Sequence, residues 1–190
     1  MYYLAYGSNL HPIRLSKRIP SAKYINVIKV LGYQLKFNKV GVDQSGKCNI
    51  ERTGNKDNTV YFALYEIEDN EKKELDEIES CGHGYEVQYI DLILNHQLVT
   101  AFTYVAMDKY INNDLLPFSW YRSLILVGMK YHSFDECYIH QTEKVSPIED
   151  NDLKRVEKNT ALIEEIEVNN STHLIAVKNV KSIATTFYIK

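Results

Sequence analysis

A chain of 190 residues is long enough for one domain with a full hydrophobic core, and its 45% hydrophobic and 25% charged residues are the balance of an ordinary globular protein. A net charge of −3, with basic residues no denser than a scatter at Arg14, Lys17 and Arg18, argues against nucleic acid as a partner. Three separated cysteines, six dispersed histidines and no C-x-x-C or H-x-x-x-H spacing argue against a disulfide framework and a metal site, and the lack of a leader pattern or a long apolar run points to a cytoplasmic protein without a membrane segment.

Residues 1–6 read as a strand apolar on both faces, with Tyr2, Leu4 and Tyr6 on one side and Tyr3 and Ala5 on the other, the pattern of a buried central strand. It ends at Gly7-Ser8-Asn9-Leu10, where glycine allows a sharp turn and serine and asparagine suit turns and caps. The turn is expected to open a helix, so that backbone N–H groups become available to a small anion. Pro12 suits a first helical position, His11 before it is pushed out of the helical region, and Pro20 ends the segment. Residues 24–37 are β-branched and aromatic, with Tyr33, Leu35 and Phe37 alternating against Gln34, Lys36 and Asn38. Loop punctuation over 41–47 and 53–58 leaves 48–51 as a short strand, and 59–67 is the clearest strand of the middle of the chain, expected to be central.

Asp69 is the expected N-cap of a helix over 70–79 with Leu75 and Ile78 on its buried side and Lys72, Lys73 and Asp76 toward water. Glu79 closes that helix just before Ser80-Cys81-Gly82-His83-Gly84, and a carboxylate at a helix C-terminus opposes the helix dipole, so its placement asks for a reason. Residues 85–94 and 98–106 form a hairpin joined at 95–97. Pro117 is expected to open a helix whose positions 118, 121, 125, 128 and 129 share one face; Gly128 in that face costs about 1 kcal/mol against alanine, which points to close packing on another backbone. A short helix over 134–145 follows, then an acidic loop at 149–152, a helix lined by Leu153, Val156, Thr160 and Ile163, and a final pair of strands at 174–177 and 183–189. Strands and helices without a repeating βα period define an α+β chain whose strands curl around a site.

Several of these residues, in order and spacing, resemble the γ-glutamylcyclotransferase family: Tyr6-Gly7-Ser8-Asn9-Leu10 after the first strand, Leu75-Asp76-Glu77-Ile78-Glu79 at the end of a helix, Gly84-Tyr85 entering a strand, then residues 117–121, Gly128 and Cys137-Tyr138. The resemblance spans residues 1–152 and leaves 153–190 as a C-terminal extension expected to pack on the same domain. It implies a small mixed β-barrel with surrounding helices, and a reaction in which the α-amine of a γ-glutamyl group attacks its own γ-carbonyl, giving 5-oxoproline and releasing an amino acid or amine.

By the same resemblance Glu79 is the catalytic general acid/base, while Tyr6, Gly7, Ser8, Asn9, Leu10, Tyr85 and Tyr121 bind a small γ-glutamyl substrate, with no metal or other cofactor and a monomer or homodimer as the assembly. Two departures fall on the loop that closes the site: Ser80 stands where many members have glycine, and the stretch from Glu79 to Tyr85 is about one residue short. The competing expectation is a non-catalytic module that binds a small ligand or a partner on the same fold. Cys81 lies beside the expected site, but no His/Asp partner makes it a nucleophile.

Overall fold

The structure, a computed structural model, describes the backbone of residues 1–176 and 185–187 and the side chains of residues 1–170. Strand β1 (Tyr2–Ala5) lies inside the sheet, as two apolar faces require, pairing antiparallel with β5 (Thr59–Glu66) and parallel with β7 (Gln97–Ala106). Outside these lie β2 (Lys23–Leu31), paired with β5, and β6 (Tyr85–Leu94), paired with β7. With β8 (Thr185–Phe187) parallel to β2, the order is β6-β7-β1-β5-β2-β8.

A second hairpin, β3 (Tyr33–Val40) and β4 (Gly46–Arg52), forms its own two-stranded sheet. β3 packs on β5 and β4 on β7, where Asn49 Oδ1 accepts the Ala106 amide at 2.9 Å, so the hairpin bridges the two neighbours of β1 and closes the curled sheet. This is the expected α+β architecture, with helices α1 (Pro12–Ser16), α2 (Lys72–Ile78), α3 (Ser119–Tyr131), α4 (Glu136–Glu143) and α5 (Leu153–Ala176) around it. Among the described residues no helix is long and apolar enough to cross a membrane.

Local chemistry accounts for most of the elements. Asn95 and His96 both have positive φ (49° and 66°), the requirement of a two-residue type I′ hairpin, and β6 and β7 pair without interruption from Tyr85 opposite Ala106 to Leu94 opposite Gln97. α3 buries Trp120, Tyr121, Leu124, Ile125, Gly128 and Met129 on one face. Gly128 packs as tightly as its cost suggested, since a β-carbon there would lie 2.5 Å from Leu10 Cβ and 3.2 Å from the His11 nitrogen.

Other expectations are corrected. Asp69 does not cap α2: residues Asp69–Glu71 form a 3₁₀ turn, the helix begins at Lys72 without a side-chain cap, and the Asp69 carboxylate accepts the Met1 amine at 2.9 Å. Within α2 only Leu75 is buried and Ile78 is exposed, while Lys72 is partly covered, bonded to Asp76 and lying over the Phe102 ring. Ile78 is the last residue of the helix and stays at its solvent edge.

Pro117 does not open α3 either. Phe118 is extended at the N-cap, and the chain around it bonds to Ile148, whose N–H donates to Pro117 O at 2.9 Å and whose carbonyl accepts from Ser119 N at 3.0 Å. α5 runs on to Ala176, so residues 174–176, expected to be strand, are helical; a short apolar run fits either element until its neighbours decide. Of the last expected strand, 185–187 is strand, and residues 177–184 and 188–190 lie outside the described residues. Leu153 and Thr160 face solvent, and the covered side of α5 is Val156, Asn159, Leu162, Ile163 and Ile166, packed on α3.

The start of α5 is anchored by Asp150. Its buried carboxylate accepts Trp120 Nε1 at 2.8 Å and Arg155 Nε at 2.6 Å, and the guanidinium holds it well below the usual carboxylate range.

Candidate active site

Where β1 ends, residues 7–10 make a tight turn closed by Leu10 N to Gly7 O at 3.0 Å. Gly7 is needed there for space, because a β-carbon would meet Cys48 Cβ at 3.1 Å. The turn does not run into the helix as expected: His11 is extended, its Nδ1 caps the Ile13 amide, and α1 is five residues long beginning with a proline that has no N–H. Any ligand bound here therefore meets the turn itself and not a helix N-terminus.

From behind, the turn is held by the core. The Leu10 carbonyl accepts from Tyr65 Oη and from His132 Nε2, the latter at 2.7 Å, and Gly128 lets α3 press against it. Burial keeps His132 neutral with its pKa lowered to about 4, so it holds Leu10 as an uncharged donor. Leu10 is fully buried and does not line the cavity, and its side chain and carbonyl anchor the turn from behind.

Glu79 is delivered from the other side. α2 ends in a Schellman motif, with Cys81 N donating to Asp76 O at 2.8 Å and Ser80 N to Glu77 O at 3.1 Å, which sets Glu79 at the C-cap and Ser80 in the left-handed region at φ 54°. That backbone position suits glycine, so Ser80 performs the same turn under some strain. Glu79 Oε1 accepts Asn9 Nδ2 at 2.8 Å, across 70 residues of sequence. Arg18 Nη1 bridges the pair, 3.0 Å from Asn9 Oδ1 and 3.4 Å from Glu79 Oε1. Glu79 Oε2 makes no hydrogen bond among the described residues.

Tyr3, Tyr6, Gly7, Ser8, Asn9, Cys48, Glu79, Tyr85, Tyr104 and Tyr121 thus line one cavity of about 30 Å³. All the expected site residues except Leu10 meet there. The tyrosines shape the cavity as neutral groups: Tyr6 Oη donates to Tyr104 O, Tyr85 Oη donates to Cys48 O at 2.6 Å, Tyr121 Oη accepts the Cys48 amide at 3.0 Å, and burial raises all three well above the usual phenol range. Burial likewise pushes the Cys48 thiol up to about 12, which leaves it no thiolate to act as nucleophile. Cys81 lies outside the lining.

Sequence reasoning missed the cations. Arg14 and Arg18 are four residues apart; Arg18 contacts Glu79, while Arg14 only feels its field, burial and then Arg18 lowering Arg14 to about 10 with its Nε buried without a hydrogen-bond partner among the described residues. Two arginines within eight residues of the turn were the available signal. Tyr3, which accepts from Asn9 Nδ2 at 3.3 Å, and Tyr104 were equally unmarked among fifteen tyrosines.

Fold and site together define an α+β barrel-like protein with a β1 turn facing a helix-terminal glutamate. The family described as gamma-glutamyl cyclotransferase, AIG2-like, matches residues 3–123, and the chain belongs to that family. Among solved structures it is similar to one described as gamma-glutamyl cyclotransferase, at 19% identity and TM-score 0.72 over 87% of this chain and 98% of that one. It is also similar to an uncharacterized protein from Homo sapiens, at 21% identity and TM-score 0.66 over 83% and 97% of the two chains. YkqA from Bacillus subtilis shares 16% identity at TM-score 0.64 over 78% of this chain and 56% of its own. At such identities the likeness is one of fold. No curated protein matches the chain.

Proposed function

We propose that the chain is a γ-glutamylcyclotransferase acting on a small γ-glutamyl compound. The observation that carries this reading is the 2.8 Å bond from Asn9 to Glu79 Oε1, which couples the β1 turn to the carboxylate and leaves Oε2 for a substrate proton. In the proposed reaction the N–H groups of the 7–10 turn and the Ser8 hydroxyl hold the substrate α-carboxylate, and Arg18 adds positive charge beside them. Glu79 takes a proton from the α-ammonium, the freed amine attacks the γ-carbonyl carbon, and a C–N bond forms to give a tetrahedral centre. Glu79 then returns the proton to the departing nitrogen as the original amide C–N bond breaks, and the second proton of the ring nitrogen passes through the same carboxylate to the released amine, so that 5-oxoproline and a protonated amine or amino acid leave and the enzyme is unchanged. Holding a flexible chain in its ring-closing conformer supplies much of the acceleration.

A cavity of about 30 Å³ has room for about one water molecule, so substrate enters only when the walls of the cavity move apart. The same narrow geometry is what favours the second reading, in which Glu79, Asn9 and Arg18 simply fasten the end of α2 to the turn on a non-catalytic binding module.

The test is 5-oxoproline release from a panel of γ-glutamyl amino acids and amines by unmodified protein and by Glu79→Gln, which keeps the size and removes the base. Turnover lost by about 100-fold or more in Glu79→Gln supports the enzyme. Well-folded protein that turns over no member of the panel leaves the binding module.

A further inference from the structure

Lys39 is a buried lysine that the proposed reaction does not use. Between Lys36, opposite Asn49, and Lys39, opposite Lys47, β3 carries one residue more than β4. A bulge of this kind re-aims side chains, and Phe37, Asn38 and Lys39 are buried in succession, with Lys39 only 6% exposed. Its ammonium lies 4.7 Å from the centre of the Tyr85 ring and against Gly84, where a β-carbon would meet Nζ at 2.9 Å.

Among the described residues Lys39 Nζ has no hydrogen-bond acceptor and no carboxylate in ion-pair contact. The two carboxylates whose fields reach it, Asp43 and Glu79, are each held by another cation, Asp43 by Lys47 at 2.7 Å and Glu79 by Arg18. Burial outweighs their pull and lowers the lysine from its usual range. An ammonium on so covered a side chain, with a ring face beside it but neither an acceptor nor a carboxylate in contact, is costly, and such groups gather at functional sites.

We infer that Lys39 anchors a carboxylate on the leaving half of the substrate, so that the site takes γ-glutamyl amino acids or peptides in preference to γ-glutamyl amines. The inference rests on the cyclotransferase reading for the seat of the γ-glutamyl half. Tyr85 lines the cavity and Lys39 lies on its ring, which puts the ammonium one ring from the reacting groups. Gly84 packs against the ammonium directly before Tyr85, a wall of the cavity, so widening the cavity at that wall brings Lys39 within reach of a ligand.

The experiment compares γ-glutamyl-alanine with γ-glutamyl-ethylamine, which differ by one carboxylate. Calorimetric binding to Glu79→Gln protein, which does not consume the ligands, is measured with Lys39 present and with Lys39→Met or Lys39→Gln. The expected result is a preference of about ten- to a hundred-fold for γ-glutamyl-alanine that disappears in the neutral variants, with ethylamide binding unchanged. The unfolding midpoint of Lys39→Met is expected to rise, because no partner is orphaned.

Equal affinity for the two ligands, binding of neither, an equal loss on both, or failure of both neutral variants to fold overturns the inference. Turnover is scored separately on unmodified protein. No 5-oxoproline from either compound overturns the cyclotransferase reading, while a binding preference that depends on Lys39 still establishes the carboxylate site.

Discussion

Replacing Gly128 by alanine tests the link between the core and the turn. On helix propensity alone the change is stabilising by about 1 kcal/mol. The structure opposes it: the new carbon would sit 2.5 Å from Leu10 Cβ, where carbons in contact keep about 3.5 to 4.0 Å, so Leu10 or α3 must retreat by about 1 Å. The next neighbours, His11 N at 3.2 Å and Leu10 C at 3.5 Å, are backbone atoms that no rotamer change can move.

Overpacking of this kind costs about 1–3 kcal/mol, which after the propensity gain leaves a net loss of about 0–2 kcal/mol and a fall in Tm of about 0–8 °C for a chain of this size. Because Leu10 follows Asn9 directly, the same retreat shifts the amide that holds Glu79, and 5-oxoproline release should fall as well. Urea unfolding of the two proteins, read by Trp120 fluorescence and circular dichroism, measures the first effect. A Gly128→Ala protein that is more stable than the original by about 1 kcal/mol, the full gain in helix propensity, would refute the claim that α3 is seated by contact at this glycine.

Asn9→Ala removes the donor to Glu79 Oε1 and the acceptor of Arg18, and turnover should fall about 100-fold through misplacement of the carboxylate; Asn9→Asp, which sets a second carboxylate beside the first, should be at least as poor. Rates within threefold of the original in both variants would remove Asn9 from the site. Ser80→Gly relieves a left-handed serine but loosens the unfolded chain, so its stability should rise by about 0–1 kcal/mol, whereas Ser80→Val should lower it by more than about 1 kcal/mol; denaturation midpoints in the reverse order contradict the Schellman geometry. His132, with its folded pKa lowered to about 4, binds its proton more readily when the chain unfolds, so the stability it contributes is present above about pH 6.5 and is lost as pH falls through 4. That loss amounts to about 3 kcal/mol, and the stability difference between the original protein and His132→Gln, followed by urea unfolding from pH 7 to 4, should change by that amount; a constant difference counts against a buried neutral imidazole.

Much of the fold was legible because it rests on local chemistry. Two apolar faces marked β1 as central, the 95–97 punctuation marked the hairpin, and an expensive glycine in an apolar helix face announced close packing before its partner was known. Glu79 stood out because a carboxylate at a helix C-terminus works against the dipole, and the Schellman bonds around it show how the chain holds it there. Element ends were less legible: the 3₁₀ turn before α2, the extended Phe118 and the helical 174–176 depend on contacts with other parts of the chain.

Sequence by itself determined the α+β class and the β1 turn and marked the helix-terminal Glu79, since each follows from period, steric permission or dipole within a few residues; that Glu79 belongs with the turn was what the family resemblance implied. Only the tertiary structure decided what those groups meet. Arg18 reaches Glu79 across 61 residues, Lys39 reaches Gly84 and Tyr85 across 45 and 46, and Leu10, read as a binding residue, is the core peg on which the turn hangs. The physical reason is that long, charged side chains carry no periodic signature of their partners. Their roles are set by which strands lie side by side and where a bulge turns one inward, and pairing across the chain settles both.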